Sequence, residues 1–287
     1  MDFSSDGRLL ACTDADGTIQ LLELGGVAPK LRRELKGECR GFLAFSPKGS
    51  WFVADHGWQA VRLWKLNWPE EQPPEVYETR ADWIVFSQNG LVLALKSGWD
   101  HSVIDVWDMS GVLPKAKAGL KGGPVARLAV SPDGTVVAAS DPWMDIQLWD
   151  ISQAKPKPLP GLHHRQFISS LAFAPKGKVL ACGGHLFTQI WDLSGPEPRV
   201  QAKLFLPGSD DWVSFSPNAD RIVTARTGGK VIVWDVINEK ELWRWQLPGP
   251  VLKVMFTPDG RHLATLNSNG TIYILRLEDR TGKKYSP

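Results

Sequence analysis

Three histidines, His56, His101 and His185, sit in loops that follow short apolar runs. Three imidazoles brought to one point could hold zinc, copper or iron. No carboxylate recurs at ligand spacing beside them, so the stronger reading is loop histidines on separate units. Other catalytic signatures are missing. The chain has no Gly-x-Ser-x-Gly elbow, no phosphate-cradling glycine loop, no His-Glu-x-x-His and no Cys-x-x-Cys. The pairs Gly183-Gly184 and Gly228-Gly229 fall in hairpin loops, where positive φ accounts for them. These residues predict no catalytic site, no metal and no cofactor.

The elements that position these residues repeat. Turn residues fall at Gly7, Gly49, Gly90, Gly134, Gly177, Ala219 and Gly260, a period of 41 to 44 residues. Each copy opens with a step such as Ser131–Gly134, Ser-Pro-Asp-Gly, which fits a type I turn. A short β-branched run follows, then a loop, then a strand ending in a conspicuous dipeptide. In Val231–Val236 that last strand is apolar on both faces, as a strand packed between two sheets must be. Polar stretches at 29–36 and 73–80 supply a charged outer strand that discourages edge pairing. No segment carries helical periodicity. A period of about 40–45 residues predicts one four-stranded blade per copy, arranged in a ring.

The dipeptide steps are Trp107-Asp108, Trp149-Asp150, Trp191-Asp192 and Trp234-Asp235, with Trp64-Lys65 a near match and Leu22-Glu23 and Leu275-Arg276 drifted. On these motifs the chain resembles the WD40-repeat (Trp-Asp repeat) β-propeller family over nearly its whole length. The degeneracy of its repeats resembles bacterial members. The resemblance implies an all-β, seven-bladed propeller over residues 1–278, with a clipped first blade, a three-stranded last blade and a polar tail at 279–287. It also implies that Trp64, Trp107, Asp108, Trp149, Asp150, Trp191, Asp192, Trp234 and Asp235 are structural. Family members tie each blade's turns to its Trp through a Gly-His, an Asp and a hydroxyl. Here Asp16 keeps the acidic slot and Asn269 approximates it, while Trp58, His101, Trp143, His185 and Gly228 fill it elsewhere. His164 alone holds the Gly-His position. Each lost hydrogen bond is worth about 1 kcal/mol net, and each retained buried apolar side chain about 1.5–3 kcal/mol, so packing wins.

A second set of aromatics falls where the repeat places loops on one face of the ring. Trp58, Trp99 and Trp143 occupy one loop in blades two to four, and His185 and Phe187 continue the series in blade five. Trp83 and Trp212 start inner strands on the same face, in the slot that Phe42, Arg127 and Lys253 fill in other blades. Two readings stand. The rings fold over the blade tops and replace lost turn bonds, which suits Trp58 and Trp143 in the vacated Asp slot. Alternatively they anchor a protein or peptide partner, as aromatics on a rigid scaffold's loops do. Trp83, Trp99 and Trp212 are the stronger candidates for the second role. The leading expectation is a non-catalytic interaction scaffold with this aromatic-rich top face. The alternative is a propeller enzyme, or a ligand- or metal-binding module, using the channel mouth at His56, His101 and His185.

Bulk properties narrow the partners. Net charge is +2 with a pI near 8.4, too balanced for a nucleic-acid surface. The basic run Lys30, Arg32, Arg33, Lys36 and Arg40, broken by Glu34 and Glu38, reads as a solvated outer strand. Cys12 and Cys182 hold equivalent second-strand slots, too far apart around a ring for a disulfide, and Cys39 lies in a loop without a partner. With no secretory signal and no apolar run of membrane-spanning length, a cytoplasmic location is expected. The ring's seam has two readings: the chain is the C-terminal part of a longer protein or has a misplaced start, or its last blade is three-stranded, with Lys283–Tyr285 at most a stub.

Overall fold

The computed structural model describes residues 1–26, 28–36, 39, 42–57, 59–66, 73–97, 102–142, 144–205 and 210–277, with backbone alone at 210 and 211. The positions expected at Trp58, Trp99, His101, Trp143 and the 279–287 tail lie outside the described residues. Seven antiparallel sheets form the ring, six of four strands and one of three, and no helix occurs among the described residues.

Each blade begins from the predicted turn. In blade four the Gly134 N–H donates to the Ser131 carbonyl at 2.9 Å. The Ser131 hydroxyl accepts from the Val136 N–H at 2.8 Å and donates to the Asp133 carboxylate at 2.6 Å. Ser4, Ser46, Ser87, Ser216 and Thr257 accept from the matching N–H in their own blades. The residue after the turn is left-handed in every blade, which glycine adopts without strain. Blade six is the exception, with Ala219 at φ 65°.

The Trp-Asp step divides its labour. The Trp packs toward the preceding blade: Trp149 of blade four shares a core with Val92, Val106 and Leu120 of blade three. The Asp turns the chain into the outer strand. Asp108, Asp150 and Asp192 accept the N–H groups of Ser110, Ser152 and Ser194 at 2.8–2.9 Å. Side-chain and backbone hydrogen bonds from those serines hold the three carboxyls below their usual range. Asp235 serves Ile237 and Asn238 in the same way, both at 2.9 Å.

The seam joins blade one (inner strand Asp2–Phe3) to the three-stranded blade seven (Val251–Phe256, His262–Asn267 and Ile272–Arg276). Met1, Phe3 and Leu10 form a buried cluster with Ala264, on which Met255, Leu266 and Ile272 pack. The Lys253 ammonium donates to the Met1 carbonyl at 2.7 Å, and the Asp2 carboxylate accepts the Phe45 N–H of blade two at 2.8 Å. Blade six contributes from the other side. Trp243 and Trp245 of its outer strand (Lys240–Gln246) pack onto the core shared with blade seven. The seam is therefore held by apolar packing and buried polar bonds.

One cysteine differs from expectation. Cys39 is buried, and its thiol donates to the Asp55 carboxylate at 3.0 Å. Asp55 also accepts the Phe42 N–H at 3.1 Å. A lone loop cysteine thus fastens the entry to blade two, because a buried carboxylate demands donors.

Candidate functional site at the channel mouth

The inner strand of blade three, Trp83–Phe86, begins with Trp83, and Trp212 lies in the inner strand of blade six, Asp210–Phe215. In a seven-membered ring these blades stand on opposite sides of the axis. Their two indoles nevertheless stack, with centroids 5.9 Å apart and planes 25° from parallel. They therefore close the central channel at this face. The Trp83 indole N–H donates to the Leu128 carbonyl of blade four at 3.1 Å, which fixes the ring's tilt. Phe42 of blade two leans on Trp83 at 5.8 Å.

Two cations complete the cluster. The Arg127 guanidinium lies 5.3 Å from the Trp83 centroid, and the Lys253 ammonium 5.3 Å from that of Trp212. Both fall within the range at which a ring face attracts a cation. Arg127 is oriented by bonds to the Ser169 and Ala126 carbonyls. Burial lowers the Lys253 pKa, and the nearby Asp2 charge opposes that shift. Lys96, directly opposite Trp83 in the sheet, is lowered mainly by burial too. Arg80 is bidentate to Asp82 at 3.1–3.2 Å. The mouth is a half-buried aromatic floor with a cationic border.

His185 and Phe187 form a separate cluster on blade five. Phe187 lies 5.5 Å from His164 and 5.7 Å from Phe205, with the Lys203 ammonium 5.2 Å from its ring centroid. The exposed His185 stands 5.7 Å from Phe167. Below them His164 is fully buried, and the Gln166 amide donates to its Nε2 at 3.1 Å and to the Phe187 carbonyl at 2.7 Å. Gln166 also accepts the Leu186 N–H at 2.8 Å. This glutamine does the work of the missing Asp, a substitution that motif spacing could not reveal. Burial, followed by the Lys203 and His163 charges, depresses the His164 pKa to about 4.

Of the three loop histidines, His101 lies outside the described residues. His56 is hydrogen-bonded to the Arg62 guanidinium at 2.8 Å, and His185 belongs to the blade-five cluster. Among the described residues no group of three potential ligands could hold a metal ion. The structural tryptophans also divide. Trp149, Trp191 and Trp234 are buried, whereas Trp64 and Trp107 are half-buried. No helix among the described residues is long and apolar enough to cross a membrane.

A model of the WD domain, G-beta repeat, matches residues 1–22 and 157–192. No curated protein sequence matches the chain significantly. Among solved structures the chain is similar to the β-propeller domain of Cps50 (Swd1) from Myceliophteria thermophila. Identity is 15% and the TM-score 0.79, over 96% of this chain and 95% of that one. At that identity the likeness speaks for the fold. With the Trp-Asp steps and the seven blades, the partial family match supports a WD40-repeat propeller, and the structural likeness shows the β-propeller fold.

Proposed function

We propose that this propeller is a non-catalytic platform for protein or peptide partners, and that the channel mouth is its principal contact surface. The observation that carries the reading is the Trp83–Trp212 stack, half-buried and rimmed by Arg127 and Lys253. Aromatic and arginine side chains dominate binding energy at protein interfaces, and a rigid scaffold lowers the entropy lost on docking. A solvent-filled channel would require no such stack. On sequence position alone Trp58, Trp99 and Trp143, which lie outside the described residues, are assigned to the same surface, together with His185 and Phe187 of blade five. The partner is engaged in the cytoplasm, and a net charge of only +2 disfavours a nucleic-acid role.

The test is affinity capture with the wild type and with Trp83→Ala and Trp212→Ala. Each truncation should weaken a specific partner by about 2 kcal/mol, roughly thirtyfold. Urea unfolding of each variant identifies any loss caused by misfolding. If folded variants retain every partner of the wild type, the mouth is not the platform.

A further inference from the structure

A second feature lies on the opposite face. Trp83 starts an inner strand that ends at the Ser87 turn, so the turns mark the far side of the ring from the aromatic mouth. Between blades one and two, on that turn side, is a cavity of about 440 Å³. Volumes of roughly 300–1,000 Å³ are typical of ligand pockets. Its apolar wall is made by Trp64 and Phe52, whose rings lie 5.6 Å apart.

Trp149, Trp191 and Trp234 are buried in the equivalent slot, with 7–9% exposure, whereas Trp64 and Trp107 are half-buried, and Trp64 faces the cavity. The Asp that follows the other tryptophans is replaced by Lys65, which also lines the cavity. Arg32 and Arg33 of the outer strand Lys30–Leu35 and Lys48 of the blade-two turn add three further cations. Among the described lining residues the one carboxylate is that of Asp6, which accepts the Ser4 hydroxyl at 2.6 Å and the Arg8 N–H at 3.0 Å, and the Lys65 ammonium also lies 5.7 Å from the Trp51 ring centroid. The basic strand is thus more than a solvated edge: two of its arginines border an apolar cleft. Such a cleft suits a ligand that pairs an apolar side chain with negative charge.

We propose that the cleft between blades one and two is a second binding site, which takes an extended acidic peptide segment. One aromatic or aliphatic side chain of the segment seats against Trp64, and neighbouring carboxylates face Arg32, Arg33 and Lys48. Charge complementarity selects the acidic partner, because a predominantly basic border steers and orients negative charge. The cavity admits a side chain and not a folded domain, so the recognised element is a short segment. The site does not use the channel mouth.

The probe is a fluorescein-labelled peptide, Glu-Glu-Trp-Glu-Glu, followed by anisotropy on the full chain. Two control peptides replace its Glu residues with Gln, or its Trp with Ala. Arg32→Glu and Lys48→Glu alter exposed side chains, and unfolding curves check that both variants fold. Each reversal should weaken binding about fivefold, because it removes one attraction and adds one repulsion. Binding should also fall with added salt, be weaker for both control peptides, and persist in Arg127→Gln at the mouth. Absence of binding, equal binding of the Gln peptide, indifference to both reversals, or loss in folded Arg127→Gln would each overturn the proposal.

Discussion

Substituting Cys182 with Thr should stabilise the protein, and the reason lies in how blades five and six treat their tryptophans. In blade six the Trp234 indole N–H donates to the Thr224 hydroxyl at 3.3 Å. Thr224 pairs with Ile232 across the sheet, two residues before that Trp. In blade five Cys182 pairs with Gln189, two residues before Trp191, so it occupies the slot of Thr224. The Trp191 indole N–H is buried and has no hydrogen-bond partner. An orphaned buried donor costs about 1–3 kcal/mol, and a neutral hydrogen bond returns about 1 kcal/mol net. Cys182 is fully buried, so the extra methyl of Thr must fit a closed site and offsets part of the gain. The expected balance is a stabilisation of about 1 kcal/mol, read as an increase in the free energy of urea unfolding. Cys182→Val supplies the control, since it has the shape of Thr without the hydroxyl. The reverse change, Thr224→Val, should cost about 1–2 kcal/mol by orphaning Trp234. A Cys182→Thr variant no more stable than Cys182→Val would refute the reasoning.

Four further outcomes are expected. Ala219→Gly should stabilise by about 0.5–1 kcal/mol, because alanine is strained at φ 65° and the relief exceeds the added freedom of the unfolded chain. Gly177→Ala, with φ 74° and no atom within 4 Å of the new methyl, should cost about 1 kcal/mol in backbone strain alone. Stability should fall on acidification through His164. Its folded pKa of about 4 lies below the ordinary 6.5, so the unfolded chain binds the proton first. That contribution is complete above pH 6.5 and declines toward pH 4 by about 3 kcal/mol, and unfolding measured against pH should show a shallower slope in His164→Gln. Asp235→Ala should cost about 1 kcal/mol by freeing the Ile237 and Asn238 N–H groups, as measured by thermal melting.

The residues that repeat were legible, and those that depart from the repeat were legible only in part. A Ser-Pro-Asp-Gly step encodes its own turn through local hydrogen bonds, and a Trp-Asp step encodes both an inter-blade contact and a cap. Seven turn steps at a near-constant period, five of them followed by a Trp-containing third strand, specify a ring without any long-range information. Sequence position could also place Trp83, Trp212, Phe42, Arg127 and Lys253 in one slot. It could not show that indoles from blades three and six reach each other across the axis, because that depends on channel width. Gln166 was hidden for a related reason: it serves His164 from two residues away instead of from the Asp slot. The Cys39–Asp55 bond and the cleft beside Trp64 arise between elements whose separation no local pattern records. Trp243 and Trp245 sit on an outer strand, where aromatic residues look exposed until the three-stranded neighbour is seen beside them.

The most direct test of the platform reading is photocrosslinking from defined positions on the ring. Benzoylphenylalanine at Phe42 borders the Trp83–Trp212 stack, while Ile237, 79% exposed, lies in a turn on the far side of blade six. A partner purified by capture should crosslink from position 42 and not from position 237, and Arg127→Ala should reduce the yield. Equal crosslinking from both positions, or capture from 237 alone, would contradict a partner surface at the channel mouth.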